Sequence, residues 1–178
     1  MRRVLDAAHY AAERHAGQRR KGAAGEPYVN HVIDIARRVA AARPDDETLI
    51  VAALLHDVVE DTDGTRREIA ERFGDAVAAL VMEVTDDKGL PKEERKRRQV
   101  ETAAATSDAG KRLKLADKAS NLVSIADSPP PDWSRERLID YVDWAERVAE
   151  GLRGVDATLE RAFDEALARA RERLGVPA

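Results

Sequence analysis

Seven apolar residues in a row, Leu49 to Leu55, run directly into His56 and Asp57, and only Val58-Val59 separates these from Glu60 and Asp61. On a helix continuing through this stretch, His56 and Glu60 stand four residues apart and Asp57 and Glu60 three. All three then share one face. A carboxylate at the end of a buried helix is costly unless it is neutralised, paired or bound to a metal. A divalent cation resolves that cost for His56 and Asp57 and leaves Glu60 and Asp61 beside it as acid–base groups. Polar groups intrude on apolar helix at two other places. Asp117 lies in Leu113-Lys114-Leu115-Ala116-Asp117-Lys118-Ala119-Ser120-Asn121-Leu122, with Leu113 one turn before it and Asn121 one turn after. His31 lies in Tyr28-Val29-Asn30-His31-Val32-Ile33, with Ile35 one turn on. Taken singly, His31 reads as an ordinary core or cap histidine and Asp117 as the buried partner of a Lys or Arg. Taken together, His31, His56, Asp57 and Asp117 form a set of two imidazoles and two carboxylates, a donor mix that suits Mn, Fe or Zn.

Those residues come from three separate segments, so a packed fold must bring them together, and the chain reads as helical almost throughout. Val4 to His15 predicts a first helix, followed by a polar loop over Gly17–Gly25. Pro27 then introduces the helix that holds His31. Asp45 or Asp46 caps a helix expected to run unbroken from Leu49 to Glu60, and Thr62-Asp63-Gly64 ends it. Thr65–Phe73 and Asp75–Val84 read as helices separated by Gly74. Lys92–Thr106 is so strongly charged that most of its faces must be solvated. Ser107-Asp108 caps the Asp117 helix, Pro129-Pro130-Pro131 closes it, and Ser134 opens a helix to Gly151. Val155, Leu159, Ala162, Ala166 and Ala170 stripe a last one over about 155–174. No alternating strand pattern and no internal repeat appears. The expectation is a single all-α domain over 1–178, a helical bundle with its core at about 4–152.

Composition sets outer limits. The chain has 178 residues, 43% hydrophobic and 36% charged, which fits a folded globular protein. It has no cysteine, which excludes disulfides and thiolate metal sites. No apolar stretch approaches the ~18 residues of a membrane span, and the N-terminus lacks the apolar core of a signal peptide. A cytoplasmic location is expected. The net charge of -4 argues against broad binding to nucleic acid and leaves a small molecule as the expected partner. Oligomeric state is not legible.

The ordered series His31, Ala53-Leu54-Leu55-His56-Asp57, Glu60-Asp61, Lys114-Leu115-Ala116-Asp117-Lys118 and Asn121 resembles the HD-domain hydrolases. Arg20-Lys21 with Pro27-Tyr28, Val84-Thr85-Asp86-Asp87-Lys88 and Gln99 are similar to the hydrolase domain of the RelA/SpoT branch. Trp133-Ser134, Arg137, Tyr141 and Gly151-Leu152 extend the likeness to the stand-alone small alarmone hydrolases, including the animal SpoT homologue, over roughly residues 4–165. The resemblance implies the HD helical fold and the hydrolase domain alone, without the synthetase or regulatory domains of the long enzymes. It makes His31, His56, Asp57 and Asp117 the ligands of Mn²⁺, with Glu60 and Asp61 orienting and deprotonating the attacking water. The implied reaction removes the 3′-pyrophosphate of guanosine tetra- or pentaphosphate, giving GDP or GTP. Arg20 and Lys21 would lie near the guanine, Asn121 near the ribose, and Lys92, Arg137 and Tyr141 near the distal phosphates. Two departures stand out. Val32 replaces a frequent Pro, and the small pair Ala119-Ser120 is expected to widen the nucleotide pocket. Two other readings stay open: a phosphatase for another nucleotide such as NADPH, acting on its 2′-phosphate, and a non-catalytic nucleotide sensor. The Glu60-Asp61 pair speaks against the sensor, because a structural metal site has no use for two extra carboxylates.

Overall fold

The computed structural model describes residues 1–177, and these form ten α-helices and one 3₁₀ turn. In chain order they are α1 (Arg2–Arg14), α2 (Val29–Ala42), α3 (Glu47–Leu55), α4 (Val58–Asp61), α5 (Arg66–Phe73), α6 (Asp75–Val84), α7 (Lys92–Thr102), the 3₁₀ turn Ala103–Ala105, α8 (Asp108–Asp127), α9 (Arg135–Glu150) and α10 (Ala157–Leu174). The all-α expectation holds. Among the described residues the β-type pairing is one isolated bridge between Arg19 and Pro27, and there is no sheet.

The apolar run decides which helix is central. All of Leu49–Leu55 is buried, so α3 is hydrophobic all round and must be covered on every side. Helices α1, α2, α6 and α8 supply the cover. Each fully buried Leu contributes about 1.5–3 kcal/mol of hydrophobic stabilisation. Helix α10 packs along α8, burying Leu159, Phe163, Ala166, Leu167 and Ala170, which joins the C-terminal stripe to the same core. No fully buried residue occurs in α7, as its charge density predicts. No helix among the described residues is long and apolar enough to cross a membrane.

The ends of the helices follow their polar residues. Asp46 accepts from the Leu49 amide at 2.9 Å and starts α3. Thr65 and Glu68 cap α5 reciprocally, Ser107 accepts from the Gly110 amide at 3.1 Å, and Ser134 accepts from the Arg137 amide at 3.2 Å.

The helix expected from Leu49 to Glu60 is broken. It ends at Leu55, and α4 begins only at Val58. The Nδ1 of His56 donates to the Ala53 carbonyl at 2.9 Å, the oxygen that would accept from the Asp57 amide in an uninterrupted helix. Asp57 sits at φ -96, ψ -4, in the sparsely populated bridge region. The bend turns its carboxylate toward the two imidazoles.

Candidate active site

The bend, the first turn of α2 and the middle of α8 meet at one point. His31 Nε2 lies 3.3 Å from Asp117 Oδ1 and 3.7 Å from Asp57 Oδ2, and His56 Nε2 lies 3.0 Å from the same Asp57 oxygen. The donor atoms of His31, His56 and Asp117 all fall within 4.8 Å of one another. Asp57 stands outside that mutual set yet touches both imidazoles. Because the Nδ1 of His56 is committed to Ala53, a neutral ring turns the Nε2 lone pair toward these carboxylates. That buried Nε2 finds no aligned hydrogen-bond partner. Buried acceptors pointed at each other need a proton or a cation between them. Two imidazoles with carboxylate oxygens suit a divalent first-row ion, so the residues fit the group the sequence implied.

Without a metal, protons and lysines do the balancing. Burial opposes the charged form of His56, but the Asp57 and Asp117 carboxylates outweigh it and raise its pKa to about 9. Asp57 is pushed up by burial and pulled further down by His56 and then His31, ending well below the usual carboxylate range. Asp117 is likewise lowered against burial, by Lys118 first and then by the two histidines. Lys118 is buried and sits 2.9 Å from Asp117 Oδ2. His31 moves the other way: burial lowers its pKa and Arg20 adds to this, so it favours the neutral ring that a metal needs.

Glu60 and Asp61 stand next to this cluster on α4. Glu60 Oε2 accepts from the Asp86 amide at 3.0 Å, while Lys88 and Arg95 lie 3.6 and 3.9 Å from its other oxygen. Burial raises its pKa and prevails over the Asp86 amide, with the charges of Asp57 and Asp86 adding to the rise. Asp61 accepts from Lys88 Nζ at 2.5 Å, and its backbone carbonyl accepts from Gln18 Nε2 at 2.5 Å. Tyr28 links the two groups of acids, its hydroxyl lying 2.6 Å from Asp57 Oδ2 and 3.3 Å from Asp61 Oδ2. Burial and the Asp57 charge keep that phenol protonated, so it remains a donor. Glu60, Asp61 and Tyr28 line a polar cavity of about 160 Å³ with His31, His56, Asp57 and Asp117, and Lys114 and Lys118 line it too.

A second cavity of about 240 Å³ opens alongside and shares Tyr28, Asp61 and Asn121 with the first. Arg19, Arg20 and Lys21 line it together with Ile125, Pro130, Trp133 and Tyr141. The loop before α2 is held in place by Arg20 N–Glu26 O (2.8 Å), Tyr28 N–Gln18 O (3.0 Å) and Ala23 N–Pro129 O (3.2 Å). A Cβ at Gly22 would collide with Ser128, so this loop is seated directly on the end of α8. Arg20 donates to Asn121 Oδ1 at 3.0 Å, and Asn121 donates to Asp117 Oδ1 at 2.7 Å, which ties the second cavity to the first.

Of the residues singled out in the sequence, His31, His56, Asp57, Asp117, Glu60, Asp61, Arg20, Lys21, Asn121 and Tyr141 line one or other of these cavities. Arg137 and Lys92 line neither. Arg137 is exposed and stacks on Trp133 at 4.3 Å, one side chain back from the second cavity, and Lys92 is exposed at the start of α7. Ala119 and Ser120 do not line the nucleotide-sized cavity either. Ala119 is fully buried and Ser120 lies behind His31, so the expectation that the small pair widens that cavity is not met. Tyr28, Lys88, Gln99, Lys114, Lys118 and Trp133 enter the sequence reading only as parts of motifs, without roles, and Gln18 only as part of a polar loop. A lysine beside Asp117 on an apolar helix was a usable signal, because a buried ammonium requires a partner. Gln18 and Tyr28 gave no such signal, since their value comes from what the fold places opposite them.

The HD-domain family profile matches residues 7–148. The guanosine-3′,5′-bis(diphosphate) 3′-pyrophosphohydrolase MESH1 of Drosophila melanogaster is 46% identical over 164 residues, 92% of each chain. The Mus musculus protein of the same name is 48% identical over 91% of each. The bifunctional (p)ppGpp synthase/hydrolase SpoT of Escherichia coli (strain K12) is 35% identical over 94% of this chain but 24% of its own length. The solved structure of a metazoan orthologue of SpoT that hydrolyses ppGpp superposes with a TM-score of 0.90 and 45% identity, over 93% of this chain and 94% of that one. The chain therefore belongs to the HD-domain family, in its branch of small SpoT-like alarmone hydrolases.

Proposed function

We propose that this protein hydrolyses guanosine 3′,5′-bis(diphosphate) and its pentaphosphate relative, releasing pyrophosphate from the 3′ position and leaving GDP or GTP. The observation that carries the reading is the sharing of Tyr28, Asp61 and Asn121 between two cavities of different character. One is acidic and rich in imidazole. The other brings the cations of Arg19, Arg20 and Lys21 together with the rings of Tyr28, Trp133 and Tyr141, a lining that suits a purine nucleotide. Close relatives that carry this activity in their names support it.

His31, His56, Asp57 and Asp117 would hold a divalent cation, Mn²⁺ on this reading, whose Lewis acidity would acidify water and offset charge on phosphoryl oxygens. Glu60 takes a proton from the attacking water, and its raised pKa makes it a stronger base than a solvated carboxylate. Asp61, steadied by Lys88 and Tyr28, orients that water. The water oxygen bonds to the 3′-phosphorus and the P–O3′ bond breaks. Its electron pair goes to O3′, which gains a proton. Arg20 and Lys21 hold the guanine side of the nucleotide, with the planar guanidinium suited to stacking on a base. On this reading Asn121 faces the ribose and Tyr141 the distal phosphates, which Arg137 and Lys92, outside both cavities, would reach only by extending toward the bound nucleotide. The substrate on this reading is a cytoplasmic nucleotide, so the protein acts in the cytoplasm.

Product analysis tests the proposal. The Mn²⁺-loaded protein is offered the tetraphosphate, NADPH and GDP separately, and phosphorus products are resolved by ³¹P NMR. Intact pyrophosphate from the tetraphosphate is the expected result. Orthophosphate from NADPH, with the tetraphosphate untouched, would overturn the reading in favour of a 2′-phosphatase.

A further inference from the structure

His31 has two ring nitrogens in two different environments. Its Nε2 faces Asp117 and Asp57 at 3.3 and 3.7 Å, and its Nδ1 lies 3.2 Å from Ser120 Oγ. Both residues are buried, His31 at 4% and Ser120 at 6% exposure. For Nε2 to present a lone pair to a cation, the single proton of the neutral ring must sit on Nδ1. Ser120 Oγ is then its acceptor, and the serine must turn its own proton elsewhere. On that side the Asp34 carboxylate lines the same small cavity as His31 and Ser120, with Arg37 and Arg38 each donating to it at 2.8 Å. The sense of the observed contact is thereby fixed: the His31 N–H donates to Ser120 Oγ.

We propose that Ser120 is a positioning residue whose hydroxyl oxygen holds His31 in its Nδ1-protonated tautomer and so strengthens metal binding at the site. The inference rests on the metal reading above and adds to it a hydroxyl acceptor behind the ligand. A hydrogen-bonded partner on the far nitrogen of a ligating histidine fixes ring orientation and raises ligand basicity, and its loss costs about 10- to 100-fold in metal affinity. Ser120, Asp34 and His31 also line a third cavity of about 240 Å³ behind the ligand, so the position has room for one extra methyl group.

That room allows a clean comparison, because Thr and Val differ in shape very little but only Thr keeps the hydroxyl. Mn²⁺ affinity is measured on metal-stripped protein from the electron paramagnetic resonance signal of free Mn²⁺, and folding is checked by circular dichroism. Ser120→Thr is expected to bind Mn²⁺ within about threefold of wild type, and Ser120→Val about 10- to 100-fold more weakly. Equal affinities for the two variants would overturn the role of the hydroxyl while leaving the metal site intact. Failure of the wild type to bind Mn²⁺ would overturn the metal reading itself. Should the valine variant fold poorly, Ser120→Ala takes its place: Mn²⁺ binding about 10- to 100-fold weaker supports the role and unchanged binding overturns it.

Discussion

Glu60 is set apart from the residues around it by being half-buried, raised in pKa and tied to a backbone amide while making no ion pair closer than 3.6 Å. His56 and Asp57 are pinned by each other, and Asp61 is pinned by Lys88 and Tyr28. Glu60 is thus the carboxylate with freedom to take a proton. Glu60→Gln keeps the shape and the Asp86 amide contact but removes the base. Turnover of the tetraphosphate is expected to fall by about 10²- to 10⁴-fold, the usual worth of a positioned general base. Mn²⁺ binding and KM should stay near wild type. Steady-state kinetics with a parallel metal titration checks this, and turnover near wild type would take Glu60 out of the mechanism.

Among the elements, the interrupted helix matters most. An unbroken Leu49–Glu60 helix would leave Asp57 in ordinary helical geometry, and the bend at His56-Asp57 is what brings its carboxylate to both imidazoles. Helix α9, which brings Tyr141 to the second cavity, ends against the 3₁₀ turn. Gly151 has an ordinary backbone conformation at φ -77, so glycine is needed there for space and not for its torsion angles. A Cβ would stand 2.7 Å from the Ala103 Cβ and 2.9 Å from the Ala104 amide nitrogen, and backbone cannot give way cheaply. Gly151→Ala is expected to destabilise the fold by about 1–3 kcal/mol through overpacking. Gly17→Ala, which meets nothing within 4 Å, should be neutral or stabilise by up to about 1 kcal/mol. Urea unfolding of the two variants separates space from flexibility, and equal effects would contradict the argument.

At the scale of the whole molecule, pH couples stability to the metal. In metal-free protein, His56 has a folded pKa of about 9 against an ordinary 6.5. Its stabilising contribution is fully present below pH 6.5 and is lost as the pH rises through 9. Asp57 has the opposite sign: depressed below its ordinary 3.8, it contributes above that pH and loses the contribution as the pH falls through its folded value. The pair therefore stabilises the metal-free fold most between pH 3.8 and 6.5. A cation must displace the His56 proton, so Mn²⁺ affinity should rise by about tenfold per pH unit up to pH 9 and then level off. Titrations at two pH values one unit apart, both below 9, test this. Equal affinities at the two would mean that no proton leaves on binding.

Much of this protein was legible in the order of its residues. The apolar run Leu49–Leu55 dictates a central helix, Asp46, Thr65, Ser107 and Ser134 mark where helices start, and the absence of period-two alternation excludes a sheet. Each follows from local rules, because capping and burial depend on neighbours in the chain. His31, His56, Asp57 and Asp117 stood out for a related reason: each is a polar group where the surrounding pattern calls for an apolar one. Tertiary structure decided the rest. The bend at Asp57 depends on the His56 ring taking the Ala53 carbonyl, a choice that helix periodicity cannot express. Tyr28 joins Asp57 to Asp61, and Gln18 holds the Asp61 carbonyl, across 29 and 43 residues of chain. Ser120 lies behind His31, 89 residues away, and not in the second cavity. A hydroxyl, an amide or a half-buried lysine is ordinary on any helix. Only what packing places opposite it gives it a function, and that is set by the arrangement of all ten helices.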